Sequence, residues 1–396
     1  MIKKAIFSVS VFLLRSKYAA ACRGYFTHGV SKGERRLSPL VAEREFTSRR
    51  RSIKEIKIPR LLAAGIFICS MAFADFQFVN GQYNHPFVEF GGSGYYLNNS
   101  EFKLGTVSGG NAPLVKMTNN GITPQWNLGL GYQFLNCSDN ALTRMFGNEE
   151  SVELKADYFN KVNRTTNGNP GTGSIYFIDT GAFITGNSTP LLLHNLKLSD
   201  RQRRTNVGLY FKSHRYTTNP KVTLTPYAGL VYTDYRDFYQ YFLAYAAPAY
   251  QTDTEKYTID VNYYGPSFGN RLTYNLTTTL AAFTDVEAQL LHANADLSAR
   301  QDPVSRPAGS FNTRIVKDDD SMGITYRTIL TAGLDYNFKA NPNGLAIELM
   351  GGLDRWGYKP VVITPNANNS TPAHLHGDTQ NNGFVMLNVT VPLTFI

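Results

Sequence analysis

The sequence is poor in cysteine, in charged residues and in long apolar stretches. Its 396 residues include three cysteines and 17% charged residues. None of its apolar runs reaches the roughly 18 residues that a membrane-spanning helix needs, so a helical membrane protein is excluded. By contrast, 33 glycines, 24 tyrosines and 25 phenylalanines favour a chain of many strands and turns over a helical enzyme.

Positive charge is concentrated at the N-terminal end. Residues 1–74 carry 15 Lys and Arg against four Glu, so the overall net charge of +9 arises there. Residues 54–74 pass from a basic stretch through an apolar core to a small-residue Ala-Phe-Ala end. This order predicts a secretory signal peptide that is cleaved between Ala74 and Asp75, followed by a mature domain over 75–396.

Two further expectations follow from this basic leader. Residues 1–22 show a second, weaker leader pattern. Because two signals in tandem would be redundant, we expect translation to start downstream of Met1. Cleavage leaves Cys137 as the one cysteine of the mature chain, which excludes an internal disulfide. The mature chain has 24 basic and 26 acidic residues, so the basic isoelectric point gives no reason to expect a nucleic-acid partner.

Alternating apolar and polar side chains fill most of the mature chain. At 152–158, for example, Val, Leu, Ala and Tyr alternate with Glu, Lys and Asp. A period of two predicts strands with one apolar and one polar face. Ten such strands are predicted, at 86–98, 124–135, 151–160, 205–216, 222–235, 256–274, 277–295, 323–338, 345–357 and 383–396.

Short turns alternate with long polar connections between these strands. The turns at 219–221, 275–277 and 340–344 contain Asn, Pro or Gly, whereas the polar segments at about 237–254, 298–321 and 359–382 are predicted as loops. We predict an all-β fold, an antiparallel transmembrane up-and-down β-barrel with short periplasmic turns and long external loops. The segment 175–198 leaves three interpretations open: a large loop, an extension of the strand at 205, or a hairpin that would raise the count to twelve.

The C-terminal strand alternates up to the last residues of the sequence, with Phe395 in the penultimate position. A final lipid-facing strand that ends in an aromatic residue is the signal that the barrel-assembly machinery of outer membranes recognises. We therefore expect this machinery and outer-membrane lipid as partners. The expected location is the outer membrane of a Gram-negative bacterium.

Four stretches, taken in order, resemble the strand motifs of a known family. They are Trp-Asn-Leu-Gly-Leu-Gly-Tyr-Gln-Phe at 126–134, Pro-Tyr-Ala-Gly-Leu-Val-Tyr at 226–232, Tyr-Gly-Pro-Ser-Phe-Gly at 264–269 and Leu-Thr-Ala-Gly-Leu-Asp-Tyr-Asn-Phe at 330–338. Together they are similar to the Legionella-type major outer-membrane proteins, a pore-forming barrel family, over most of residues 84–396. Ser267 departs from this pattern, which has a basic residue there. The resemblance implies pore formation and a surface or adhesive role.

The alternation assigns charged side chains to the lumen and aromatic ones to the membrane interfaces. Opposed acids and bases inside a barrel can select solutes in a pore, or can pair across a narrow lumen and fill it. The candidate lumen-lining residues are Glu89, Glu153, Lys155, Asp157, Lys212, Asp285, Glu287, Arg327, Asp335, Glu348 and Asp354. The candidate aromatic girdle consists of Tyr132, Phe134, Tyr158, Tyr232, Tyr336 and Phe338.

Motifs for catalysis and metal binding are weak. The pair His374 and His376 has no convincing third ligand, and His292 is not accompanied by a nucleophile motif. We therefore expect no enzyme activity and no cofactor or metal. The predicted function is a porin-like pore for passive diffusion of small hydrophilic solutes. The alternative is a non-conducting surface barrel, a structural protein or an adhesin that acts through its external loops. A homo-oligomer and a host or surface ligand are left open.

Overall fold

Ten long antiparallel strands close on themselves to form a barrel. The computed structural model describes residues 85–393 except 100, 108–112, 118–119, 136–148, 168–170, 183–190, 217–218, 220, 246–250, 306–308, 311, 321–322, 339–344 and 367–369. The chain divides into the units Met1–Asp75 and Phe76–Ile396, and every described residue belongs to the second. The predicted cleavage residues Ala74 and Asp75 and the assembly residue Phe395 lie outside the described residues.

The strands, in chain order, are β1 (His85–Leu97), β2 (Phe102–Leu104), β3 (Thr106–Val107), β4 (Val115–Met117), β5 (Gly121–Leu135), β6 (Glu149–Asn167), β7 (Gly171–Ser174), β8 (Leu191–Tyr216), β9 (Val222–Tyr245), β10 (Gln251–Asn275), β11 (Leu280–Ser305), β12 (Gly309–Ser310), β13 (Arg314–Asp320), β14 (Ile324–Asn337), β15 (Ala346–Ile363) and β16 (His374–Pro392). The described residues contain no helix that is long and apolar enough to cross a membrane.

The ring runs β8-β6-β5-β1-β16-β15-β14-β11-β10-β9 and returns to β8. The predicted antiparallel barrel of ten strands is confirmed. The twelve-strand alternative is wrong, because the end of segment 175–198 extends the strand predicted at 205, so that β8 begins at Leu191. Both ends of the described chain lie at the end of the barrel with the short turns, the periplasmic end.

Apolar side chains form a belt around the outside of the barrel. On β10 the exposed apolar residues run from Tyr274 to Tyr264. Ten residues of a tilted strand rise roughly 25 Å, the height of the apolar band of an outer-membrane barrel. Members of the belt on other strands are Phe90, Trp126, Leu209, Leu230, Val286, Leu330, Leu349 and Leu387. A closed ring with such a belt indicates the outer membrane of a Gram-negative bacterium.

Four adjacent strands, β8 to β11, continue far above the belt. They have 24 to 26 residues each, whereas a crossing strand needs about ten. The prediction of long external loops at 237–254, 298–321 and 359–382 is therefore wrong for most of these residues, which lie in strands. The outward face above the belt is polar, for example at Arg236 and Asp260, so the alternation that predicts a membrane strand disappears there.

The apolar core of the protein lies inside this external extension. Tyr241, Leu243, Tyr257 and Ile259 point inward and are 0% exposed. Two parts of the external connections fold into the open end of the barrel and are called the cap. The first consists of residues 101–107 and 113–117, and the second consists of residues 171–182. In the cap, Phe102 stacks on Tyr239 with ring centroids 4.8 Å apart.

The second cap segment inserts an apolar run into the mouth of the barrel. Ile175 and Ile178 are 3% and 1% exposed. Two backbone hydrogen bonds close the turn that follows. The N–H of Phe177 donates to the carbonyl of Ala182 at 2.7 Å, and the N–H of Gly181 donates to the carbonyl of Phe177 at 2.8 Å. Gly181 has φ of 67°, the left-handed conformation that glycine adopts without a steric penalty.

Candidate functional site: the lumen and its cap

All eleven predicted lumen-lining charges lie on the inward face of the barrel. The structure joins them to residues that the sequence did not single out, chiefly Arg204 and Arg271. From the periplasmic end outward, the lumen contains three groups of paired charges, then a layer of amide side chains, and then the cap.

Near the periplasmic end, Arg271 on β10 reaches across the lumen to β15. Its guanidinium lies 2.7 Å from Glu348 and 3.8 Å from Asp335. Since three steps around the ring separate β10 from β15, this pair spans part of the interior. Asp285, nearby, accepts a hydrogen bond of 2.8 Å from the hydroxyl of Tyr227.

A second group is centred on Lys155 of β6. Its ammonium lies 2.8 Å from Glu89 and 3.6 Å from Glu153, and Glu153 pairs with Lys212 at 2.7 Å. Acids and bases thus alternate within hydrogen-bond or ion-pair distance. Two acids balance two bases, so the group carries no net charge.

Glu287 is held by neutral donors instead. It accepts hydrogen bonds from Ser267 at 2.6 Å, Gln289 at 2.7 Å and Tyr210 at 3.2 Å. Ser267 is itself fully buried. Its hydroxyl thus gives Glu287 a neutral donor inside the lumen.

The third group surrounds Asp354 and bridges the whole lumen. Asp354 accepts two hydrogen bonds of 2.8 Å from Arg327 on the neighbouring strand, one of 3.3 Å from Arg204 and one from the hydroxyl of Tyr95. Arg204 also pairs with Asp157 at 3.2 Å. These five residues are called the Asp354 cluster.

The Arg204–Asp354 contact joins opposite walls of the barrel. Arg204 lies on β8 and Asp354 on β15, and four strands separate them on either side of the ring, so they stand on diametrically opposite walls. Their side chains are 3% and 1% exposed. Arg204 also stacks on the rings of Tyr95 and Phe159 at 4.5 and 4.9 Å. The barrel is therefore filled across its diameter at this height.

Amide side chains form a polar layer just outside the Asp354 cluster. Asn99 accepts hydrogen bonds from Lys359 and, at 2.6 Å, from Gln380, and it donates to Gln202 at 3.0 Å. Gln202 in turn donates to Asp237 at 3.2 Å. This chain of contacts again links opposite sides of the interior.

The cap is fastened to the barrel by Gln301 and Arg314. The Gln301 amide accepts from the backbone N–H of Ile178 at 3.1 Å and donates to the Tyr176 carbonyl at 3.2 Å. Arg314 makes two 2.7 Å hydrogen bonds to Asp179. The polar ties thus hold the apolar run 175–178 in the mouth.

Two buried acids lie beside Gln301, well above the apolar belt. Gln301 donates to Asp253 at 3.0 Å and to Glu255 at 2.6 Å, and Tyr257 also donates to Glu255. Burial raises the pKa of Asp253 to about 7, and burial also raises the pKa of Glu255 well above its usual range. Both acids are therefore more easily protonated in the folded protein than in the unfolded chain.

The aromatic girdle residues face outward at two heights. Tyr132, Tyr336 and Phe338 lie near the periplasmic ends of their strands, whereas Tyr158 and Tyr232 lie near the outer edge of the belt. The side chain of Phe134 is outside the described residues. Exposed Trp126 and Tyr96, which the sequence did not single out, join the outer group.

The described residues offer little for metal or catalytic chemistry. Among them, no group of three or more His, Cys, Asp or Glu side chains could hold a metal ion. His292 lies on the outward face, where its ring packs against Tyr264 and its Nδ1 contacts the Gly323 carbonyl at 2.7 Å. The side chain of His374 contacts the Pro372 carbonyl at 2.8 Å.

Several solved structures share the general architecture. The outer membrane protease OmpT from Escherichia coli is 10% identical, with 81% of this chain and 99% of that chain covered and a TM-score of 0.40. A major outer membrane protein from Thermus thermophilus is 14% identical, with 63% and 98% covered and a TM-score of 0.29. The P. putida toluene transporter TodX is 9% identical, with 80% and 92% covered and a TM-score of 0.24. No protein-family model and no curated protein matches the chain. Such low identities and TM-scores say nothing about what this chain does.

Proposed function

We propose that this protein is a non-conducting outer-membrane barrel that acts at the cell surface through its external extension, as a structural protein or an adhesin. The observation that carries the proposal is the Arg204–Asp354 contact between opposite walls of the barrel. Above it lies a fully buried apolar core closed by the cap. A hydrophilic solute would have to displace both the ion pair and the closely packed side chains of the core.

The test is single-channel current from purified, refolded protein in a planar bilayer. Heat-modifiable mobility on a gel confirms that the protein is folded. We expect no ohmic steps from the natural sequence. A matched variant, in which a short Gly-Ser linker replaces 171–182 and both Arg204→Ala and Asp354→Ala are introduced, should conduct. Regular steps from the natural protein would refute the closed lumen.

A diffusion pore is the second candidate, and one observation favours it. Inside the apolar belt the lumen carries many charged side chains, and a water-filled pathway has a polar interior of this kind. The resemblance to the Legionella-type major outer-membrane proteins implies the same function. If steps are recorded, Lys155→Gln and Arg327→Gln should shift the ratio of cation to anion permeability. Unchanged selectivity would remove both residues from the conducting path.

The adhesive role has a separate test. Strands β8 to β11 project furthest from the membrane, and at the outer end β9 stops at Tyr245 and β10 starts at Gln251. Cells of a non-adherent Gram-negative host that display the natural protein should attach to host cells more than cells that display a variant with 246–250 replaced by Gly and Ser. Equal attachment at equal surface display would argue against adhesion through this tip.

A further inference from the structure

A group of arginines lies on the outside of the barrel just above the apolar belt. Arg203 of β8 and Arg236 of β9 are direct partners in the register of the two strands. Arg201, two residues further out on β8, is exposed on the same face. Like charges directly opposite each other destabilise a sheet, so the two arginines depend on anions nearby.

The acids on this face compensate only part of the charge. Arg203 pairs with Asp234 at 3.4 Å, and Arg236 pairs with Asp260. Arg201 donates to the neutral amide oxygen of Asn160 at 3.1 Å. On β8 and β9 three guanidinium groups face the single outward carboxylate of Asp234, and Asp260 on β10 adds a second. The next acid of the outward row, Asp296 on β11, is the register partner of Asp260 and lies two strands from Arg236, so the excess of positive charge belongs to the β8–β9 face.

More positive charge lies one step further out. Register partners place Arg164 and Lys256 in the same outward row, two residues above Arg201 along the barrel surface. Both side chains are exposed. Apolar Val162 and Phe238 are the register neighbours of Arg201 on either side, so its charge stands between two apolar side chains.

The height of the cluster matches the lipid headgroups. Tyr232 at the outer edge of the belt lies four residues below Arg236 on β9. Four residues of a tilted strand rise about 10 Å, which places the guanidinium groups beyond the hydrocarbon and inside the headgroup layer. The outer leaflet of such a membrane is built from lipopolysaccharide, whose sugar headgroup carries phosphates.

We propose that Arg201, Arg203 and Arg236 form a binding site for the phosphate groups of lipopolysaccharide on the β8–β9 face of the barrel. Guanidinium forks bind phosphate oxygens in pairs, and the three side chains present several such donors on one patch. The site fixes one face of the barrel against the outer leaflet.

The experiment measures lipopolysaccharide binding to the full mature protein in detergent by isothermal titration calorimetry, with native mass spectrometry to count bound lipid. The triple variant Arg201→Gln, Arg203→Gln and Arg236→Gln should bind at least about 100-fold more weakly, since each lost charge-assisted contact costs roughly tenfold. The natural protein should lose affinity to a similar extent for lipopolysaccharide from which the phosphates have been removed.

Arg355 provides the matched control. It is exposed on the outward face of β15 immediately above Leu353 of the belt, with the neutral partners Thr328 and Asn381. Arg355→Gln should bind lipopolysaccharide as the natural protein does. The proposal is overturned if the triple variant, folded by its heat-modifiable mobility, binds within about twofold of the natural protein. Equal binding of the dephosphorylated lipid, or an equal loss with Arg355→Gln, would overturn it as well.

Discussion

Replacing Asp354 with alanine is the sharpest test of the closed lumen. The Asp354 carboxylate accepts hydrogen bonds from Arg327 and Arg204. Both arginine side chains are buried, at 4% and 3% exposure. Asp354→Ala therefore leaves two buried guanidinium groups that share the one remaining carboxylate of the cluster, Asp157, at 3.2 Å from Arg204.

The size of the effect follows from the burial. Removing one partner of a buried ion pair costs about 3–5 kcal/mol, because the charge left behind stays desolvated. Asp354→Asn keeps the volume and part of the hydrogen bonding, so its cost should be smaller. Adding Arg327→Met to Asp354→Ala removes one unpaired cation and should restore part of the loss, as a double-mutant cycle measures.

The assay is equilibrium unfolding in guanidinium chloride with the protein in lipid vesicles, followed by the folded band on a gel. The control is Asp302→Ala, which breaks the exposed Arg300–Asp302 pair of the extension, where the side chains are 56% and 32% exposed. This change should leave the midpoint where it is. If Asp354→Ala lowers the midpoint no more than Asp302→Ala, the Asp354 cluster is hydrated and the lumen is not closed by it.

Two more predictions concern the cap and the sheet. Because the pKa of Asp253 is raised from 3.8 to about 7, the folded protein holds a proton that the unfolded chain releases, so stability should fall as pH rises between these values, by up to roughly 4 kcal/mol. Asp253→Asn should reduce that slope in melting midpoints measured from pH 4 to pH 8, and an unchanged slope would contradict the assignment. Gly265→Ala should lower the free energy of unfolding by about 1–3 kcal/mol, since a β-carbon there overlaps the backbone carbonyl oxygen of Leu290. Gly323→Ala, with nothing within 4 Å of the added carbon, is the control, and equal stability of the two variants would contradict the packing.

The strand count and the inward face could be predicted because they depend on local alternation. Glu153, Lys155 and Asp157 lie at every second residue, and a strand must turn all three to one side. Which partner each charge meets depends on the curvature and stagger of the whole ring, which the sequence does not display. Arg204 was missed for a simpler reason, since the strand was predicted to begin at 205, one residue too late.

The external extension and the cap could not be predicted from the same rule. Above the membrane both faces of a strand are free to carry polar residues, so the outward alternation that marks a membrane strand is lost. The apolar run Ile175 to Ile178 was the available signal for the cap, because four such residues do not favour a solvated loop. The tie through Gln301 joins positions more than 120 residues apart and leaves no local trace.

The barrel reverses its polarity along its axis, and this reversal favours a surface function over conduction. Within the belt the exterior is apolar and the interior is charged. Beyond the belt the exterior is polar, and the interior holds the apolar core together with buried polar side chains such as Gln202, Asp253 and Glu255. The Asp354 cluster lies between the charged interior at the height of the belt and the apolar core of the extension. Its charges pair with the charged side chains below, and the core above keeps water from them. A path for solutes would have to pass through that core, and opening it would remove the side-chain packing that stabilises the extension. A rigid external platform, by contrast, requires the core to stay closed, because only then do strands β8 to β11 hold their outer ends in a fixed position far from the membrane.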